Sequence, residues 1–215
     1  FLAEEGVMRR SDTRQRIIEE ALHLFASNGY DAVSVSQIAQ AVGIKAPSLY
    51  KHFPSKRAIF DAIVKHMRQL DAEHAKQAEV PGMDEEEAES EIDAPEPAKL
   101  RAFMVDRFRY WTEDGLAHDY RRMLTLEQYK SSENMDMYQK VLGSGPVAYI
   151  EDMLGAMLDE GLLRGDDPKR MAIELYAPFF LLVSAADAVE SKNARRRVLD
   201  IFAKGVDDFM ARYKA

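Results

Sequence analysis

Residues 43–57 read GIKAPSLYKHFPSKR, and the order of their helix breakers sets the fold. Gly43 ends a helix in the left-handed conformation that glycine tolerates. Pro47 suits the first turn of the next helix, where its fixed φ fits and its missing N–H is not needed. Pro54 stops that helix, and Ser55 is placed to cap another that begins at Lys56. The stretch therefore predicts two short helices, about 36–42 and 46–52, joined by a tight turn at 43–46 and followed by a longer helix. Its charge is equally informative. It holds Lys45, Lys51, Lys56 and Arg57 with no acid, and no Asp or Glu occurs from Ala32 to Phe60, where simple proportion would place about five.

Upstream, Ser11–Asn28 carries apolar residues at 17, 18, 21, 22, 24 and 25, a helical stripe with Ser11 as N-cap and Asn28-Gly29 as stop. Ser34 or Ser36 is available to cap the helix that follows. Downstream, apolar positions 59, 60, 63, 64, 67 and 70 predict a helix over 56–79, about 36 Å long. Residues 77–98 hold nine acids and no base, with four Pro or Gly, and predict a solvated acidic linker. Helical periodicity then returns over about 99–113, 117–131, 133–160 with a bend at Gly143–Pro146, 168–190 and 194–213. The expected fold is all-α, with about nine helices: an extension over 1–10, a helix-turn-helix head over 11–55, a connecting helix over 56–79, the linker over 80–98 and a helical bundle over 99–215.

The 215 residues suffice for one large or two small domains with a full core. Their net charge of −8 conceals an asymmetry. Residues 1–68 carry ten bases and seven acids, net +3, while the remainder carries 19 and 30, net −11. The absence of cysteine excludes disulfides, thiolate metal sites and thiol catalysis, and fits a reducing cytoplasm. The longest apolar run, Met171–Val189, is interrupted by Glu174, Ser184 and Asp187, which suits a buried helix better than a membrane span. FLAEEG at the start is too short and acidic for a signal peptide. No HExxH, GxSxG, Walker A or GxGxxG sequence occurs, so an enzyme is not expected, nor a metal or other cofactor.

Two short helices joined by a glycine turn form a helix-turn-helix, whose second helix enters the DNA major groove. Lys45, Lys51, Lys56 and Arg57 would displace condensed cations from the phosphates, and a carboxylate on that face would be repelled. Ser48 and Tyr50 add neutral hydroxyls able to meet phosphates or base edges. The run FASNGYDAVSVSQIAQAVGIKAPSLYKHFPSKRAIF also resembles the DNA-binding head of the tetracycline-repressor (TetR) family, over about Thr13–Met67. Phe25-x-x-x-Gly29-Tyr30, Ile38-Ala39, Val42-Gly43, Leu49-Tyr50, His52-Phe53 and Lys56 carry the match. The resemblance implies DNA contacts from Ser36, Ala46, Pro47, Ser48, Tyr50, Lys51, His52 and Lys56. Lys45 departs from the pattern, standing where a capping Ser or Thr is frequent; it weakens the cap and adds a charge within reach of a phosphate.

For the remainder, the resemblance implies a ligand-responsive regulator: a homodimer through its last two helices that binds a pseudo-palindromic double-stranded operator. It implies repression relieved by a small, hydrophobic effector, with a transcriptional activator or a metal-responsive regulator on the same fold as alternatives. The residues add some support. Met171–Val189 is apolar nearly all round, with a kink expected at Pro178, and Val198, Phe202, Val206 and Phe209 give the last helix a stripe suited either to a twin chain or to the core. Aromatics and methionines of the middle helices suggest pocket-lining roles for Trp111, Met123, Glu127, Met153, Tyr176 and Phe180.

Overall fold

The computed structural model describes residues 2–77 and 94–215. Among them it holds ten helices: α1 (Leu2–Asn28), α2 (Val35–Val42), α3 (Ala46–Leu49), α4 (Lys56–Gln77), α5 (Pro97–Glu113), α6 (Gly115–Glu127), α7 (Ser132–Leu142), α8 (Ser144–Asp159), α9 (Pro168–Asp187) and α10 (Lys192–Tyr213). The one strand-like feature among the described residues is an isolated bridge between Leu163 and Lys214. Most of the expected acidic linker lies outside the described residues. The helix expected over 133–160 is two, divided at Gly143. Pro146 falls in the first turn of α8, where its missing N–H leaves no hydrogen bond unmade. Pro178 lies inside α9, which is continuous through it.

The chain divides into two compact units. Residues 1–71 and 115–135 form the first, and residues 72–114 and 136–215 the second. Gly115–Met135, expected from sequence within the carboxy-terminal bundle, thus groups with the head. In the first unit, Ile17, Leu22, Phe25, Ile38, Leu49, Ile59 and Ile63 are fully buried, and the rings of Phe25, Tyr30 and Phe60 lie 5.2–6.5 Å apart. Helix α6 lies along α1 and adds Ala117, Met123 and Leu124 to this core.

In the second unit, α10 packs on α5 and α9, and α8 packs on α9. Phe108, Phe179 and Phe202, one from each of α5, α9 and α10, make an aromatic centre with Phe108 stacked on Phe202 at 4.7 Å. This corrects the expected dimer stripe. Phe202, Val206 and Phe209 are buried inside their own chain and Val198 is half-buried, because this face of α10 covers α5 and α9. The apolar side chains left in solvent are others: Ile173, Phe180 and Leu181 on α9, at 51, 51 and 69 % exposure, and Ile201 on α10 at 61 %.

Candidate nucleic-acid interface

Local chemistry builds the helix-turn-helix. Ser34 caps α2 in a capping box: its hydroxyl accepts from the Gln37 amide, and the Gln37 side chain accepts from the Ser34 amide. Gly43 ends α2 at φ 77°, and the Ile44 amide returns to the Ala39 carbonyl, which turns the chain toward α3. Lys45 occupies the N-cap position of α3 without a side-chain cap bond, and Pro47 lies in its first turn. Helix α3 is short, Ala46–Leu49, but His52 and Phe53 both donate to the Leu49 carbonyl and carry the coil one turn further.

Burial sorts the residues of this unit into two faces. Ile38, Ala39, Val42, Leu49 and Phe53 are buried, and hold α2 and α3 on the core. Ser36, Lys45, Pro47, Tyr50 and Lys51 are exposed, while Ala46, Ser48 and His52 are half-buried. Tyr50 is 53 % exposed and carries its hydroxyl on the same outward face as Lys51. Helix α1 braces the unit from behind: Arg16 donates to the Val42 carbonyl at 2.8 Å, and the Arg14 guanidinium sits 4.5 Å from the centre of the Phe53 ring.

Lys56 does not have the role expected from sequence. Its ammonium donates to the carbonyls of Tyr30 and Val33 at 2.8 and 2.9 Å and lies 4.2 Å from the centre of the Tyr30 ring. It ties the start of α4 to the α1–α2 loop and is an internal strut of the head rather than a free phosphate ligand. Two carbonyls and a π-face together hold an ammonium firmly, since each offers negative potential to a desolvated cation.

Trp111, Met123, Met153 and Tyr176, expected to line a pocket, are buried. Trp111, Met153 and Tyr176 belong to the second unit and Met123 to the first. Tyr176 donates to the Leu142 carbonyl at 2.8 Å, and Trp111 lies beneath the Arg107 guanidinium, 5.4 Å from its ring centre. Phe180 is exposed and lines no interior. Glu127 is buried for a different reason: its carboxylate accepts from the Tyr30 amide at 2.8 Å, in the first unit.

Glu127 begins a strap that sequence reasoning missed. After α6, Lys130 pairs with Asp31 at 2.9 Å, Asn134 donates to the Glu127 carbonyl, and Glu133 accepts from Arg57 at 2.6 Å. The Lys130 ammonium holds the Asp31 carboxyl below its ordinary range. Nearer the middle of α6, Asp119 accepts from His23 of α1 at 2.9 Å and from its neighbour His118 at 3.3 Å. Partial burial opposes its ionisation, but the two imidazole hydrogen bonds outweigh that and lower its pKa. Charge pattern alone hinted at none of these, because each acid reads as solvated surface until the partner element is known.

Comparison with known proteins bears on the same segment. Residues 17–63 match the profile described as bacterial regulatory proteins, tetR family. The biofilm operon icaADBC negative transcriptional regulator IcaR of Staphylococcus aureus is 44 % identical over 52 residues, 24 % of this chain and 28 % of that protein. The transcriptional repressor ComR of Escherichia coli is 34 % identical over 65 residues, 30 % of this chain and 31 % of its own. The chain thus aligns with under a third of the length of either relative. Two solved structures share the fold along nearly all of it. SmeT with triclosan has a TM-score of 0.69 at 21 % identity, covering 95 % of this chain and 92 % of that one. A Saccharomonospora viridis protein in complex with choline has a TM-score of 0.69 at 18 % identity, covering 95 % and 99 %.

Proposed function

We propose, from the premise that residues 17–63 are a DNA-binding head of the tetR family of bacterial regulatory proteins, that this chain regulates transcription by binding an operator through α2 and α3. The observation that carries this is a helix-turn-helix whose outward residues Lys45, Tyr50 and Lys51 lie in a 29-residue span, Ala32–Phe60, without one carboxylate. Phosphates are attracted to such a face and repelled by the acidic surface that prevails elsewhere on the molecule, so the head presents DNA with its most favourable approach. Repression is the favoured outcome, since IcaR and ComR are both negative regulators or repressors by description.

The chain acts as a homodimer in this proposal, with two heads on successive major grooves about 34 Å apart and a pseudo-palindromic operator. Ile173, Phe180, Leu181 and Ile201 form the face that meets the twin chain. A small hydrophobic effector enters the aromatic second unit and shifts α4, whose residues are shared between both units, so that the heads lose their operator spacing. SmeT and the S. viridis protein, solved with triclosan and choline, support a small-molecule effector. The site of action is the cytoplasm, where the chromosome is.

Selection of bound duplexes from a random pool should return an inverted repeat. On that repeat, Lys51→Glu should lower affinity by at least about a hundredfold, as expected when a phosphate contact becomes a repulsion, with the thermal midpoint unchanged. Wild-type affinity in Lys51→Glu would refute the assignment of the face.

A further inference from the structure

The sequence keeps acids out of Ala32–Phe60, yet the fold brings two carboxylates to the last base of that span. Arg57, the second residue of α4, donates from Nε to Asp61 at 2.7 Å and from Nη2 to Glu133 at 2.6 Å. Asp61 is one turn along the same helix and moves with Arg57. Glu133 is 76 residues away in sequence, and arrives on the strap that Glu127 and Lys130 fasten to Tyr30 and Asp31. Both partners are at the surface: the Arg57 and Glu133 side chains are 50 and 61 % exposed.

We propose that Glu133 stands in for a DNA phosphate on Arg57, so that Arg57 is a phosphate ligand of the interface held in reserve by the strap. The proposal rests on the head binding duplex DNA. Three features carry it. Glu133 occupies a terminal nitrogen of the guanidinium, the edge with which arginine grips a phosphate, while Asp61 occupies the inner Nε. One cation facing two carboxylates leaves the patch with a net charge of about −1, which repels DNA until Glu133 withdraws. An exposed ion pair is weak, so a polyanion can displace it. The head's affinity then depends on the position of the turn between α6 and α7: with the strap seated Arg57 is occupied, and with it displaced Arg57 is offered to the backbone.

The test uses the full chain and a labelled 30-base-pair duplex of random sequence, titrated by fluorescence anisotropy over a salt series from about 50 to 200 mM. Glu133→Gln keeps the side-chain shape and removes the charge. It should bind roughly three- to tenfold more tightly than wild type at the lowest salt, and its plot of log affinity against log salt should steepen by about 0.9, one added phosphate. In Arg57→Ala/Glu133→Gln the steepening should vanish. Equal slopes for wild type and Glu133→Gln, with Lys51→Glu still defective, would overturn the masking of Arg57 and leave the DNA-binding face standing. Steepening that persists without Arg57 would also overturn it, assigning the effect to general charge. Failure of wild type to bind any duplex would remove the function itself, and the masking with it.

Discussion

The ammonium of Lys56 makes three contacts with the head: hydrogen bonds to the backbone carbonyls of Tyr30 and Val33, and the face of the Tyr30 ring. Lys56→Met should therefore act on stability before it acts on DNA. Loss of charge-assisted bonds at a half-buried position costs about 1–3 kcal/mol, a fall of roughly 2–10 °C in the thermal midpoint for a chain of this length. An unchanged midpoint would show that the strut carries no load. Lys51, five residues before Lys56 and equal to it in sequence character, is exposed and has the opposite profile. Nothing in the sequence separates the two, because a lysine's role depends on whether carbonyls or solvent face its end, and the carbonyls here come from a loop 26 and 23 residues upstream.

Elements show what periodicity can and cannot convey. The capping serine, the terminating glycine and the N-terminal proline define α2 and the start of α3 from local chemistry, so these were legible to within a residue, whereas α3 ends at Leu49, three residues short of the expected 52. The stripe on α10 was legible as a buried face, but periodicity does not say which surface buries it, and the aromatic centre of the same chain does. Helix α6 was legible as a helix and not as part of the head, since its ties to α1 span about a hundred residues, as with His23 and Asp119. That tie gives a pH prediction. Asp119 has a folded pKa below its ordinary 3.8, so its contribution is present above about pH 4 and is lost as pH falls through the depressed value. Asp119→Asn should lower the thermal midpoint near pH 6, and the gap from wild type should close toward pH 2; a gap that stays constant would exclude the ionised carboxylate as its source.

For the whole molecule, the position of the exposed apolar residues separates self-association from folding. Leu181 and Ile201 are more than 60 % exposed, so a charge at either costs little within one chain. Leu181→Glu and Ile201→Glu should convert a dimer into monomers in sedimentation velocity at micromolar concentration, with an unchanged thermal midpoint for the monomer's own core and with weakened binding to a two-half-site operator. Phe202→Glu, aimed at the stripe that sequence alone favoured, should instead prevent folding, since it buries an unpaired charge. A wild-type monomer would remove the twin-chain face altogether.

The grouping of Gly115–Met135 with the amino-terminal helices means that the head is discontinuous along the chain. A fragment ending at Asp71 would lack the helix that lies along α1 and the acid that holds the Tyr30 amide, and it is expected to be sticky and partly molten. Supplying residues 115–135 as a separate peptide should restore it in trans. The same discontinuity constrains how such a gene can be remade: exchanging residues 72–215 for another sequence at a single crossover would sever the amino-terminal unit from its own lining, so a chimera that keeps that unit whole needs two junctions.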